Sequence, residues 1–198
     1  AEVEISVTPN EGYQFVGWSD GDINSTRTIV VTSDIVLQAE FVIEVMTVDV
    51  LVENAVVIGT GEYAYGSEAT IIVLPNAGYQ FVRWSDDVLE SVRNIKVTSD
   101  TLLVAETTPI VYSVELQGDH GRLLGSGEYN SGSHVEIEAI ADEGYHFVRW
   151  SDGVVDAIRT IEVNSDITLV AKFAINVYTV ELKAENGVVY GSGDYEHG

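Results

Sequence analysis

GYQFVGWSDG at residues 12–21, GYQFVRWSDD at residues 78–87 and GYHFVRWSDG at residues 144–153 are one motif written three times. Their tryptophans, Trp18, Trp84 and Trp150, stand 66 residues apart (84 − 18 and 150 − 84). Self-similarity at a fixed period marks a tandem array, and it governs every later inference about the fold. The register holds outward from the motif without gaps. Arg27, Arg93 and Arg159 correspond, as do Asp34, Asp100 and Asp166, Leu37, Leu103 and Leu169, and Ala39, Ala105 and Ala171. Upstream, Gly61-Glu62-Tyr63, Gly127-Glu128-Tyr129 and Gly193-Asp194-Tyr195 share one position, and Met46, Tyr112 and Tyr178 open the preceding strand. Starting the unit at those three residues divides the chain into four parts. Residues 1–45 are the C-terminal part of a repeat lacking its first two strands, 46–111 and 112–177 are complete repeats, and 178–198 are the first two strands of a further repeat.

Within a unit the pattern has a period of two. Tyr112, Val114 and Leu116 alternate with Ser113, Glu115 and Gln117, and Val135, Ile137 and Ala139 alternate with Glu136 and Glu138, as expected of strands with one buried face. Between these two strands, Leu123 and Leu124 form a short irregular strand beside the bend Gly125-Ser126-Gly127. Tyr145 to Trp150 is a fourth strand, and Arg159 to Val163 and Ile167 to Phe173 are a fifth and a sixth around the turn Asn164-Ser165-Asp166. No segment sustains a helical apolar period, although Asp152 to Ile158 has room for one helical turn. The expectation is an all-β tandem array of small modules of about six strands each. A unit this small buries only about 60% of its unfolded surface, so packing against neighbours is expected to matter.

Composition agrees. The chain is 45% hydrophobic, enough to offset the entropy of ordering it. Against 9 Lys and Arg stand 32 Asp and Glu, a net charge of −23, which disfavours nucleic acid and anionic membrane surfaces as partners. Without cysteine there is no disulfide framework and no thiolate metal site. No apolar run is long enough to span a bilayer, and Ala-Glu-Val-Glu at the start is no signal peptide, so any export signal is expected outside this segment.

The string Gly144-Tyr145-x-Phe147-x-x-Trp150-x-Asp152-Gly153, then Thr160-x-x-Val163, then Asp166-x-x-Leu169-x-Ala171-x-Phe173, resembles the divergent internalin B-repeat family of bacterial surface proteins. The resemblance covers the whole chain. It implies small β-rich, β-grasp-like modules in secreted or cell-wall-attached proteins that act as spacers or adhesins, and it brings no catalytic residue. Copy two departs from the pattern, with Asp87 at the turn glycine and Thr107 where Phe41 and Phe173 stand, so its last strand is expected to pack less well.

Candidate sites are few. Tyr13, Phe15 and Trp18, Tyr79, Phe81 and Trp84, and Tyr145, Phe147 and Trp150 suit a repeat core better than a glycan platform, with the tryptophans expected near unit boundaries. Asp20, Asp86 and Asp152 precede Arg27, Arg93 and Arg159 by seven residues, an expected structural ion pair across a hairpin. Arg83 and Arg149 adjoin a tryptophan in the chain, but strand neighbours face opposite ways, so no cation–π pair is implied there. Asp20, Asp22 and Asn24 resemble half a calcium loop, but Ser25 and Val31 stand where the loop needs Gly and Glu, so neither a metal nor another cofactor is expected. His120, His134, His146 and His197 do not recur at one position, and no nucleophile, base or cofactor motif supports an enzyme.

The two end fragments are each expected to present an unsatisfied face. The junction residues are Val3, Ile5 and Phe41 at one end and Tyr178, Val180, Leu182, Val189 and Tyr195 at the other. The expected partner is the chain itself, head to tail in an extracellular filament or stalk, or the neighbouring repeats of a longer protein. The alternative is an adhesin that recognises a glycan or host protein.

Overall fold

The computed structural model describes residues 1–198 and consists of strands and connecting turns alone. It divides into two compact units, Ala1–Thr108 and Pro109–Gly198. The first opens with β1 (Glu2–Ser6), β2 (Tyr13–Trp18), β3 (Thr26–Val30) and β4 (Ala39–Ile43), which form two separate antiparallel ladders, β1 with β3 and β2 with β4. Seven more strands follow: β5 (Val45–Leu51), β6 (Ala55–Ile58), β7 (Gly61–Ala64), β8 (Glu68–Pro75), β9 (Tyr79–Trp84), β10 (Val92–Lys96) and β11 (Thr101–Pro109). They build a four-stranded sheet, β7-β5-β11-β9, and a three-stranded sheet, β10-β8-β6.

The second unit repeats this plan with β12 (Val111–Gln117), β13 (Gly121–Leu124), β14 (Gly127–Asn130), β15 (Ser133–Ala141), β16 (Tyr145–Trp150), β17 (Ile158–Val163) and β18 (Ile167–Ile175). Its sheets run β14-β12-β18-β16 and β13-β15-β17, and β19 (Val177–Val180) pairs with β20 (Gly193–Glu196) beyond them. In each four-stranded sheet the central pair is parallel, with Val114 opposite Ile167 and Val48 opposite Thr101. Parallel neighbours need a long crossover, which is usually a helix. Here the crossover is the three-stranded sheet, so the β-grasp likeness lies in the mixed sheet and no helix covers it.

The alternation seen in the sequence turns one face of each sheet inward, and the two faces share a core. In the second unit this is Val114, Val135, Ile137, Ala139, Trp150, Val163, Leu169 and Ala171, and in the first Val48, Ala69, Ile71, Val73, Trp84, Val97 and Ala105. Each large aliphatic side chain so buried contributes about 1.5–3 kcal/mol.

Three expectations need correction. A complete repeat has seven strands, because the irregular second strand is two strands belonging to different sheets. Gly125, at φ +102°, turns the chain between them, and a Cβ there would come within 2.6 Å of the Glu136 carbonyl oxygen. Asp152 to Ile158 forms no helical turn. Its carbonyls point at the tryptophan: Val154 accepts from the Trp150 backbone N–H at 2.8 Å and Asp156 from the indole Nε1–H at 3.0 Å, so they are unavailable to a helix. Finally, Trp84 and Trp150 are fully buried inside their own repeats and not at the boundaries. A bulge between Phe147 and Arg149 explains the placement in β16. It leaves Val148 and Arg149 both exposed and returns Trp150 to the face of Phe147. In copy two, Thr107 bonds its hydroxyl to the Glu53 carbonyl at 2.7 Å, and β11 runs unbroken through this position.

Candidate functional site

The motif builds the same corner in all three copies. The indole Nε1–H of Trp18, Trp84 and Trp150 donates to the carbonyl six residues on, in Asn24, Glu90 and Asp156, at 2.9, 2.9 and 3.0 Å. Arg27, Arg93 and Arg159 lie over the indoles with Cζ 5.5, 5.2 and 5.8 Å from the ring centres, a cation–π arrangement. Each guanidinium also meets an aspartate of the turn: Asp20 at 2.6 Å, Asp86 at 2.8 Å and Asp152 at 2.5 Å. Hydrogen bonding to the arginine is the main cause that holds these three carboxyls below their usual pKa. The arginine therefore closes the core as a roof, and the aspartate holds the roof down.

Asp22 belongs to the same corner. Its carboxylate accepts from the backbone N–H of Asn24 at 2.8 Å and meets Arg27 at 3.0 Å, and its pKa is lowered first by Asn24 and then by Arg27. Of the three residues resembling half a calcium loop, Asp20 and Asp22 thus meet the guanidinium and Asn24 donates to Asp22, and no group of three or more acidic or histidine side chains is gathered for a metal ion. Sequence spacing brings the Asp and Arg positions together, but it does not reveal that the same arginine stacks on the tryptophan. The signal for that contact is the recurrence of both residues in every copy. Phe81 and Phe147 pack against their cores, whereas Tyr79 and Tyr145 stand outside them, Tyr145 stacked on His120 at 4.1 Å.

The copies differ in what covers them. Trp18 is partly exposed where Trp84 and Trp150 are fully buried, and Val31 is 38% exposed where Val97 and Val163 are at 0%. Residues 35–38 form no strand, whereas Thr101–Val104 and Ile167–Val170 at the same positions pair with β5 and β12. Two open grooves result. One, of about 550 Å³, is lined by residues including Ile5, Trp18, Ile29, Val31, Ile35 and Leu37. The other, of about 250 Å³, is lined by Thr8, Asn10, Tyr13 and Phe41. Of the junction residues on this side, Val3 and Phe41 are more than 40% exposed and Ile5 is half-buried.

At the other end, β19 and β20 form a hairpin whose apolar residues have no cover. Tyr178, Val180, Leu182, Val189 and Tyr195 are 40–54% exposed, whereas Val114, at the position of Val180, is at 2%. Residues 181–192, which would include the counterpart of β13, form no strand.

Joints between successive copies are seen inside each unit. In the first, the Glu44 N–H donates to the Gly12 carbonyl, the Tyr65 N–H to the Glu44 carbonyl, both at 2.8 Å, and the Tyr65 hydroxyl to the Glu11 carboxylate. In the second, Asn176 bonds to Gly144 and His197 to Asn176 in the same way, at 2.7 and 2.8 Å. The rings of Tyr65 and His197 lie so close over Gly12 and Gly144 that no Cβ fits there. In both of these joints main-chain bonds are capped by a ring on a glycine.

Over 200 residues the chain is 28% identical to a protein of Evansella cellulosilytica named "Putative Gly-rich membrane protein", covering 94% of this chain and 23% of that protein. It is 26% identical over 202 residues to another from the same organism, named "Putative membrane protein", covering 95% of this chain and 29% of the relative. The chain therefore spans about a quarter of the length of these relatives. The Bacillus anthracis TIE protein superposes with a TM-score of 0.42 at 9% identity, over 89% of this chain and 52% of that one, a likeness too loose to build on. Residues 1–44, 47–110 and 112–177 each match the divergent InlB B-repeat domain, a bacterial surface repeat and not an enzyme family. The chain belongs to the divergent InlB B-repeat domain family.

Proposed function

We propose that this chain is a structural segment of an extracellular stalk, fibre or filament on a bacterial surface, in which strands from the adjacent repeat complete each partial repeat. The observation that carries this reading is the contrast between Trp18, partly exposed beside an open groove, and Trp84 and Trp150, fully buried beneath β5 to β7 and β12 to β14. Residues 1–44 correspond to the part of a repeat that follows those strands. The acidic surface, with a net charge of −23, keeps an extended array soluble. An adhesive role is less well supported, because the indoles that would stack on a sugar are spent inside the complete repeats.

The test is to restore a repeat in sequence. Ala1 occupies the position of Ser133, so residues 111–132 fused directly ahead of Ala1 provide the missing strands in order. Trp18 emission should shift to the blue and its quenching by acrylamide should fall to that of a buried indole. An unchanged Trp18 in a folded fusion would sink the completion reading.

A further inference from the structure

Both complete repeats form the same open groove, where the loop after the first strand meets the last strand. In residues 112–177 its volume is about 310 Å³ and its lining includes Asp119, His120, Lys172 and Phe173. One period earlier its volume is about 230 Å³ and its lining includes Glu53, Asn54, Glu106 and Thr107. These residues correspond one to one at the 66-residue spacing. The fold therefore makes the groove, and the side chains decide what it can hold.

The two copies give it opposite charge. In copy two, Glu106 is answered within the protein by Arg83 at 3.0 Å. At the same positions in copy three, Arg149 stands opposite Lys172 across the β16–β18 ladder. Both side chains are exposed and neither forms an ion pair. Like charges directly opposite one another destabilise a pair of strands. A chain with 9 Lys and Arg against 32 Asp and Glu thus sets two cations side by side with no carboxylate of its own to meet them.

The groove also has a flat platform in copy three alone. Asn54 and His120 both hold a positive φ, 54° and 64°, a conformation that Asn and His adopt more readily than most residues. His120 adds a ring, stacked on Tyr145 with centres 4.1 Å apart and planes within 4° of parallel. The imidazole is exposed in the groove that Lys172 also lines, and the exposed carboxylate of Asp119 supplies a hydrogen-bond acceptor.

We propose that this groove of the repeat 112–177 binds one acidic sugar, a uronic acid unit. The sugar carboxylate bridges Lys172 and Arg149, its ring lies on His120, and a hydroxyl donates to Asp119. A volume of about 310 Å³ is at the small end of the roughly 300–1,000 Å³ of ligand pockets, which suits a single ring. The net charge of −23 opposes a long polyanion, whereas a single carboxylate meets chiefly the two cations within its reach. All of these residues lie inside one complete repeat, so the site is independent of how partial repeats are completed.

The experiment follows the amide chemical shifts of the 198-residue chain during titration with methyl glucuronide. Methyl glucoside serves as the uncharged probe and acetate as the ringless one. Glucuronide is expected to give saturable shifts at Gly118, Asp119, His120 and Lys172 and none at their copy-two counterparts Val52, Glu53, Asn54 and Glu106. Each of the other two probes lacks one part of the contact and is expected to bind about tenfold more weakly. Lys172→Glu and His120→Asn install the residues that copy two carries at these positions, so the strand content is expected to be kept. Each is expected to weaken glucuronide binding by about tenfold or more. Arg122→Glu, at an exposed position on the other sheet, changes the net charge as much as Lys172→Glu and is expected to leave the affinity unchanged. The absence of saturable shifts, equal shifts in copy two, acetate binding as tightly as glucuronide, or an equal loss from Arg122→Glu would overturn the inference.

Discussion

The repeat at residues 112–177 and the partial repeat at residues 1–44 carry closely matched side chains beneath different cover. Both bend the strand that carries the tryptophan with a bulge, both aim the indole N–H at the same loop carbonyl, and both roof the ring with an arginine tied to an aspartate. Yet Leu169 is 7% exposed and paired in a strand, whereas Leu37 belongs to no strand and lines an open groove. The indole bond and the arginine roof are thus local, made six and nine residues on from the tryptophan, and the bulge needs only the strand that pairs Ala39 with Trp18. The core and the parallel ladder are not, since they need strands from 53 positions away, the separation between Ser113 and Asp166.

The largest expected difference concerns the tryptophans. Trp150→Ala should cost about 3–5 kcal/mol in urea unfolding of its unit, and Trp18→Ala clearly less, because the latter side chain is already partly in water. Equal costs would break the comparison. Next are the bend glycines. Gly125→Ala combines an unfavourable positive φ, about 1–2 kcal/mol, with collision against the Glu136 carbonyl. Gly191→Ala has the same backbone cost, φ +101°, but its nearest side-chain atoms are 4.0 Å away. The first should therefore lower the melting temperature more than the second, and the reverse order would show that the bend is not shaped by β15.

Smaller again is the loop aspartate. Asp166→Ala removes the acceptor of the Ser113 N–H and should cost about 1 kcal/mol, while Asp34→Ala should leave the stability of the monomer unchanged. Amide exchange at Ser113 reports this directly. The smallest effect is that of pH on the arginine roof, present in both regions. Asp152 has a folded pKa below its unfolded value, so its contribution is complete above the ordinary carboxylate pKa and is lost as pH falls through the folded one. Acid also relieves the repulsion of a chain with net charge −23, which acts in the opposite direction. The roof is therefore read as the difference between the parent chain and Asp152→Asn, which should vanish at low pH.

Much of this architecture is legible in the residue pattern. The 66-residue period, the Asp–Arg spacing and the all-β character follow from residue types at fixed intervals. The bulge at Phe147 to Arg149 is not legible there, because period two cannot reveal where two residues oppose one. Nor is the division of one irregular strand into β13 and β14, since Gly125-Ser126-Gly127 signals a bend without saying that the chain changes sheets. Tyr79 and Tyr145 resemble core residues in their recurrence, but recurrence also marks positions beside a joint.

Sequence alone determined the number of copies, their phase and the face of each strand that turns inward, because alternation and periodicity are properties of the chain itself. Tertiary structure decided which strands share a sheet, that a second sheet and not a helix bridges the parallel pair, and how deeply each tryptophan is buried. Burial depends on what the rest of the chain brings to a surface, and over Trp84 and Trp150 that is the two sheets of their own repeat.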